Sequence, residues 1–249
     1  GIGAEDGKAT SNAVHTAIPI AAAGGLLLTV IGVAFSGTFL EAMGTPQGKL
    51  LELSSVYMRI YFCGMIFSML YNFGSAILRA AGDTRSPLIF LTIAGVLNVI
   101  LNIVFVAAFK MDVAGVALAT SISQAVSAVL VLRALSKRED ACRLDFKKLR
   151  IHKRALLKML KIGLPAGLQG SLFSISNVII QSSVNSFGAA HMSGSAAASS
   201  IEGFCYVSMN AFHQTALNFC GQNYGAGDLK RVNRITFTCL ATVAAVGLI

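Results

Sequence analysis

The chain is a succession of long apolar runs separated by short polar breaks. Apolar stretches fill residues 14–35, 56–78, 88–109, 113–132, 162–187 and 196–219, and another opens at 235 and is still apolar at 249. The run 88–109 is about 22 residues long, close to the ~20 a helix needs to cross a bilayer core. None of the runs alternates strictly, so the pattern predicts membrane-spanning helices rather than a barrel. Residues 36–54 are read as a loop around Gly44-Thr45-Pro46-Gln47-Gly48, a strong turn signal. After residue 78 comes the polar turn Arg79-Ala80-Ala81-Gly82-Asp83-Thr84-Arg85-Ser86-Pro87. There Gly82 suits a helix end, and Ser86-Pro87 reads as an N-cap with a first-turn proline.

Residues 133–161 break the pattern most. Within them, 145–154 is basic and amphipathic and is expected to lie at the membrane interface before residue 160 enters it. This long polar connection divides the chain into an N-terminal lobe, 1–136, a basic linker, 137–161, and a C-terminal lobe, 162–249.

Composition strengthens the membrane reading. Of 249 residues 55% are apolar and only 12% charged, with mean hydropathy +0.69, where soluble domains carry about a quarter charged residues. The net charge of +9 does not indicate nucleic acid, because ten of the twenty Lys and Arg residues sit between Lys137 and Lys161. A basic loop retained on the cytoplasmic side accounts for that distribution. Five cysteines with no Cys-x-x-Cys pair give neither a metal spacing nor a disulfide framework.

Lys and Arg counted loop by loop set the orientation. Seventeen fall on the side holding the segments before the first run and after the second, fourth and sixth; three fall on the other. Residues 1–13, 79–87, 133–161 and 221–234 are therefore expected to be cytoplasmic, in a multi-pass protein of the plasma or inner membrane.

A short repeat adds to this. Gly3-Ala4-Glu5-Asp6-Gly7-Lys8 matches Gly225-Ala226-Gly227-Asp228-Leu229-Lys230 at four of six positions, 222 residues apart. Both copies precede a span. A duplication of that length, with six helices per copy, would make the chain a fragment of about seven spans, and two spans are then expected before Gly1 and about four at the far end.

These features together resemble the multidrug and toxic compound extrusion (MATE) transporters. The likeness is carried by the turn 79–87, then Leu97-Asn98-Val99-Ile100-Leu101-Asn102, then Val113-Ala114-Gly115-Val116-Ala117-Leu118-Ala119-Thr120. Ile162-Gly163-Leu164-Pro165 and Gly221-Gln222-Asn223-Tyr224-Gly225-Ala226-Gly227-Asp228 continue it. The resemblance implies an all-α integral membrane protein whose parent has two pseudo-symmetric six-helix lobes, the visible spans being the third to the start of the ninth. It also implies secondary active efflux of organic cations and drugs, in exchange for Na+ or H+, by alternating access. No other cofactor is implied. The expected partners are the lipid bilayer and a small amphipathic or cationic substrate, with no nucleic acid, and the protein is expected to be a monomer.

Two candidate sets follow. Asn98 and Asn102 are four apart on one helix and Thr120 is on the next; their oxygens suit a small cation in a dry site, and equally suit inter-helix hydrogen bonding. In the family an aspartate on the first helix completes this cluster, and members often carry Asp where Asn102 stands. In the second lobe Gln169, Asn177, Gln181 and Asn185 form one stripe, and Glu202, Tyr206, Asn210 and His213 another. Glu202 is the single carboxylate well inside a visible run, and a carboxylate at that depth costs about 2.5–3.5 kcal/mol or more, which marks a functional group unless it lies at a wet interface. His213 titrates near neutrality in an ordinary setting and is read either as a coupling group or as a packing residue. Some family members carry their second-lobe acid just after the proline, but 167–173 contains none.

The runner-up is a flippase of lipid-linked oligosaccharide or polysaccharide intermediates in the same superfamily. Such a protein is expected to place Arg or Lys mid-membrane to hold a pyrophosphate, and no run here has one. A membrane enzyme would need a catalytic cluster such as His-Glu-x-x-His, which the sequence lacks.

Overall fold

The computed structural model describes the backbone of residues 2–42, 48–186 and 189–247, and their side chains except at 42, 50, 182, 185, 186 and 189–193. The described residues form eight α-helices: α1 Gly7–Ala42, α2 Lys49–Cys63, α3 Met65–Ala80, α4 Arg85–Ile103, α5 Asp112–Ser136, α6 Lys153–Ser186, α7 Ala189–Gly225 and α8 Leu229–Gly247. A π-helical turn, Val104–Ala108, extends α4, and 3-10 turns lie at Ile2–Ala4 and Phe146–Lys148. No strand occurs among the described residues, as the runs predicted. By length and apolarity, α1, α5 and α4 with its π turn can each cross a bilayer, and so can α2 and α3 taken as one bent span. The 34-residue α6 and the 37-residue α7 are long enough but carry more polar interruptions.

The chain divides into two compact units, Gly7–His152 and Gly1–Asp6 with Lys153–Ile249. In the first, α1 packs on α2 and α3, and α5 packs on α2, α3 and α4. Its core, Val14, Ile18, Leu78, Val131, Leu135, Cys142 and Leu144, joins α1, α3 and α5 to the start of the inter-lobe segment. Small residues let these helices approach: Ala117, Ala119, Ser123, Ser127 and Ala128 are the buried face of α5, as close packing in membranes requires. The tightest approach at a described glycine of this unit is at Gly32, where a Cβ would lie 2.0 Å from the Phe62 ring.

Several boundaries differ from the sequence reading. The loop expected over 36–54 is mostly helix. Helix α1 continues to Ala42 and α2 begins at Lys49, because Ser36 is fully buried and its hydroxyl accepts from Arg59 Nε at 3.2 Å. The Gly44–Gln47 part of the expected turn lies outside the described residues. The span expected over 56–78 is broken at Gly64, with a 42° bend between α2 and α3. Helix α3 closes as expected at Gly82, whose φ is +87°. The Gly82 N–H donates to the Arg79 carbonyl at 3.0 Å and the Asp83 N–H to the Leu78 carbonyl at 2.9 Å, a Schellman pairing.

The N-cap of α4 is Thr84, not Ser86, and the capping side chain is that of Asp83. Asp83 Oδ1 accepts from the Ser86 N–H at 3.0 Å, which puts Ser86 inside the first turn. Burial favours the neutral acid at Asp83, but the Ser86 hydroxyl and N–H, with the charge of Arg138, outweigh it and hold the carboxyl below its usual range. The residues 145–154, read as an interfacial amphipathic segment, form one 3-10 turn before α6 starts at Lys153. The polar stretch 221–234 is likewise mostly helical, leaving a connection of only three residues, 226–228. Asn223 is accommodated by donating to the Phe219 carbonyl one turn back at 2.8 Å.

In the second unit the 222-residue repeat reappears as geometry. Glu5 and Gly227, repeat equivalents, both have left-handed φ, +51° and +80°. The Glu5 N–H donates to the Ile2 carbonyl at 3.0 Å and the Gly227 N–H to the equivalent Tyr224 carbonyl at 3.1 Å. Helices α1 and α8 begin at equivalent positions, Gly7 and Leu229. The two turns also touch: a Cβ on Gly225 would sit 3.2 Å from the Cα of its own equivalent, Gly3.

Candidate functional site

The first candidate set assembles. Asn98 and Asn102 lie one turn apart on α4 and face Thr120 on α5. Asn98 Nδ2 donates to Thr120 Oγ1 at 3.3 Å, and the Thr120 hydroxyl donates to the Val116 carbonyl at 3.0 Å. Asn102 Nδ2 donates to both Asn98 Oδ1 and the Asn98 carbonyl at 3.0 Å. All three residues are half-buried, beside the fully buried Ala117 and Ala119. One acceptor is left over: Asn102 Oδ1 is buried without a hydrogen-bond partner. An unpaired buried carbonyl oxygen costs about 1–3 kcal/mol, and a cation or a proton donor would recover it.

The backbone changes character here. Immediately after Asn102 and Ile103 the helix loosens into the π turn Val104–Ala108, and turns of that kind concentrate at functional sites. Its rim packs closely on α5, where a Cβ on Gly115 would meet Phe105 Cβ at 2.9 Å. No signal in the sequence marks the π turn, because Val104-Phe105-Val106-Ala107-Ala108 is as apolar as any helical segment.

Of the second candidate set, Asn177, Glu202, Tyr206, Asn210 and His213 are not joined by side-chain hydrogen bonds among the described residues. Asn177 and Gln181 are exposed on α6, and Glu202, Tyr206, Asn210 and His213 are exposed on α7. The side chain of Asn185 lies outside the described residues. Among the described residues Asn177, Glu202, Tyr206, Asn210 and His213 have no side-chain hydrogen bond or ion pair. Glu202 is nevertheless deeper than the sequence placed it. Helix α7 starts at Ala189 rather than 196, so Glu202 sits 13 residues in, roughly 20 Å from the helix start at 1.5 Å per residue. His213 borders a groove of about 420 Å³ between α7 and α8, together with Leu217, Cys220, Tyr224 and Val232. Among the described residues no three or more His, Cys, Asp or Glu side chains converge as a metal cluster would.

Sequence reasoning missed the residues that hold the α2–α3 bend. Thr29 Oγ1 on α1 donates to the Phe62 carbonyl at 2.7 Å, and Ser121 Oγ on α5 to the Ile60 carbonyl at 3.1 Å. Hydroxyls near a glycine in an apolar run were the available signal, but only the fold pairs them with that glycine.

Comparison with known proteins bears on all of this. The probable multidrug resistance protein YpnP of Bacillus subtilis is 33% identical over 214 residues, 83% of this chain and 47% of that protein. The probable multidrug resistance protein YoeA of the same organism is 28% identical over 218 residues, 85% of this chain and 47% of that protein. The chain thus spans about half the length of these curated relatives. Among solved structures, one described as MATE in the straight conformation superposes with a TM-score of 0.84 at 20% identity, over 99% of this chain and 59% of the other. The family profile named MatE matches residues 1–104 and 165–249. A match over most of the chain makes this protein a member of the MatE family.

Proposed function

We propose that the protein of which this chain is part is a secondary active efflux transporter, an antiporter that exports organic cations and drugs in exchange for Na+ or H+ by alternating access. The observation that carries the coupling half is the Asn98–Asn102–Thr120 network with its unsatisfied Asn102 Oδ1. Amide and hydroxyl oxygens do not titrate near neutrality, so this cluster suits a ligated cation such as Na+ rather than an exchanged proton. A proton, if one is exchanged, would be carried by Glu202 or His213, which can change charge. Glu202 is also the group on α7 able to attract a cationic substrate. The names of the curated relatives support the drug-efflux half. No observation favours the flippase alternative: among the described residues no Lys or Arg hydrogen-bonds the Asn98–Asn102–Thr120 network.

The test uses the full-length protein in proteoliposomes, with efflux of a fluorescent cationic dye under separately imposed Na+ and pH gradients. In Asn102→Ala, Na+-driven efflux is expected to need about tenfold more Na+, the effect of losing one ligand worth roughly 1.4 kcal/mol. Glu202→Gln is expected to abolish efflux or its pH dependence. Efflux unchanged in both variants would overturn these assignments, and the absence of efflux under either gradient would overturn the antiporter itself.

A further inference from the structure

The segment between α5 and α6 is pinned to α1 at two points. The Asp145 N–H donates to His15 Nε2 at 3.1 Å, while His15 Nδ1 bonds the Ser11 carbonyl at 2.8 Å. The His152 N–H donates to Thr16 Oγ1 at 3.0 Å, and that hydroxyl donates onward to the Asn12 carbonyl at 2.7 Å. His15 and Thr16 are buried, at 3% and 0% exposure, and just before the first pin Cys142 and Leu144 are buried in the core. Two backbone anchors on one buried helical turn fix where the intervening residues must project.

Between the pins run Phe146, Lys147, Lys148, Leu149, Arg150 and Ile151, all exposed. Three are large and apolar, with Phe146 at 56% and Ile151 at 54% exposure, and three are cations. Phe146 and Leu149 are three apart across a 3-10 turn, which aligns them on one side. Asp145 offers the cations little compensation: its carboxylate accepts from the Lys147 N–H at 3.0 Å and meets Lys148 at 3.7 Å. From Phe146 to Ile201 the sequence has no Asp or Glu at all.

A free anion such as phosphate would account for the cations but not for the exposed Phe, Leu and Ile beside them. An apolar protein partner would account for the reverse. A bilayer surface rich in anionic phospholipid satisfies both, with phosphate groups at the cations and the acyl boundary at the apolar side chains, and α5, long and apolar enough to cross a bilayer, ends only ten residues before Phe146. The geometry points to residues 146–151 as a membrane-docking loop selective for anionic phospholipid, held in presentation by His15 and Thr16. This rests on the membrane-spanning reading and not on efflux, and its readout is lipid contact, so the two fail separately.

These 249 residues contain no tryptophan, so Phe146→Trp in the full-length protein, with any tryptophan elsewhere replaced by phenylalanine, adds a signal readable against the parent. The variant is reconstituted in phosphatidylcholine vesicles with or without phosphatidylglycerol, each lipid in turn carrying brominated chains. The added emission is expected to be blue-shifted, and quenched more by brominated phosphatidylglycerol than by brominated phosphatidylcholine. High salt should weaken that preference. Lys147→Gln, Lys148→Gln and Arg150→Gln together should remove it, at about fivefold per cation, without changing the melting temperature in detergent. Thr16→Val is expected to reduce quenching with all three cations intact. Water-like, unquenched emission in both lipids would mean that the loop meets solvent or a soluble partner and would overturn the inference. Quenching indifferent to headgroup and to the three cations would overturn the anionic selectivity.

Discussion

Replacing Thr29 with valine tests how the α2–α3 bend is held. At Gly64 the helical ladder breaks: its N–H turns to the Tyr61 carbonyl at 3.0 Å, so the Ile60 carbonyl loses its usual donor four residues on. In water such groups would be solvated, but in a bilayer they must find protein partners. They do, through Ser121 at 3.1 Å for Ile60 and Thr29 at 2.7 Å for Phe62. Valine keeps the shape of threonine and removes the donor, leaving the Phe62 carbonyl facing a methyl group. Inter-helix hydrogen bonds in membranes are worth about 0.6 kcal/mol on average and up to about 1.7, and an orphaned carbonyl costs about 1–3. The short Thr29 bond puts Thr29→Val at about 1–2 kcal/mol and Ser121→Ala at about 1. The double variant should lose less than the sum, since one broken pin lets the bend relax away from the other. The measurement is reversible unfolding of the full-length protein in mixed micelles of dodecyl maltoside and SDS, followed by far-UV circular dichroism. If both single variants lie within about 0.3 kcal/mol of wild type, the bend does not depend on these hydroxyls and the reasoning fails.

Gly32→Ala puts a Cβ 2.0 Å from the Phe62 ring and is expected to cost about 1–3 kcal/mol by overpacking; Phe62→Leu should recover part of it in the same titration. Glu5→Gly relieves a left-handed residue at φ +51° and should raise the melting temperature, by about 1 kcal/mol in stability, while Gly227→Ala at φ +80° should lower it by a similar amount. The Arg138 guanidinium, and less so the Cys142 N–H, hold Asp140 below its ordinary range against the effect of burial, and Asp83 is lowered as well. Both carboxylates are then more acidic folded than unfolded. They contribute stability above about pH 4, and lose it as pH falls through their folded values. Unfolding measured from pH 6 downward, roughly the plateau for carboxylates, should show that loss, and Asp83→Asn with Asp140→Asn should flatten it.

The helical, membrane-spanning class was legible because twenty-residue apolar runs admit few alternatives, and the Gly82 turn because a left-handed helix end demands a residue like glycine. The Asn98–Asn102 pair was legible from its spacing of four, and Thr120 from its place on the next run. What the spacing did not contain was which oxygen would be left over, since that depends on how the amides orient against Thr120. The loop over 36–54 was misplaced because Ser36, Gly37 and Thr38 look like a break until Arg59 arrives to bond Ser36. The break at Gly64 was invisible for the opposite reason: glycine is common in intact membrane helices, and only Thr29 and Ser121, distant in sequence, make a bend affordable. For Asp83 against Ser86 both residues are good caps, and the Schellman turn before them decided the register. The stripes on α6 and α7 were periodic as read, but periodicity does not say what a stripe faces.

The meeting of Gly3 with Gly225 also sets an order of events during synthesis. Residues 1–6 belong with 153–249, while 7–152 form a unit of their own. At roughly 5–20 residues per second on the ribosome, residue 225 emerges on the order of ten to forty seconds after residue 3. The first hexapeptide therefore waits, uncommitted, while α1 to α5 insert and pack. Closing a loop of that length costs roughly 5 kcal/mol in chain entropy if nothing holds the ends, and helices already folded between them reduce it by shortening the free chain. The duplicated turn is thus among the last contacts of this chain to form, and a ribosome stalled before residue 225 would leave its first half folded and its first six residues without their partner.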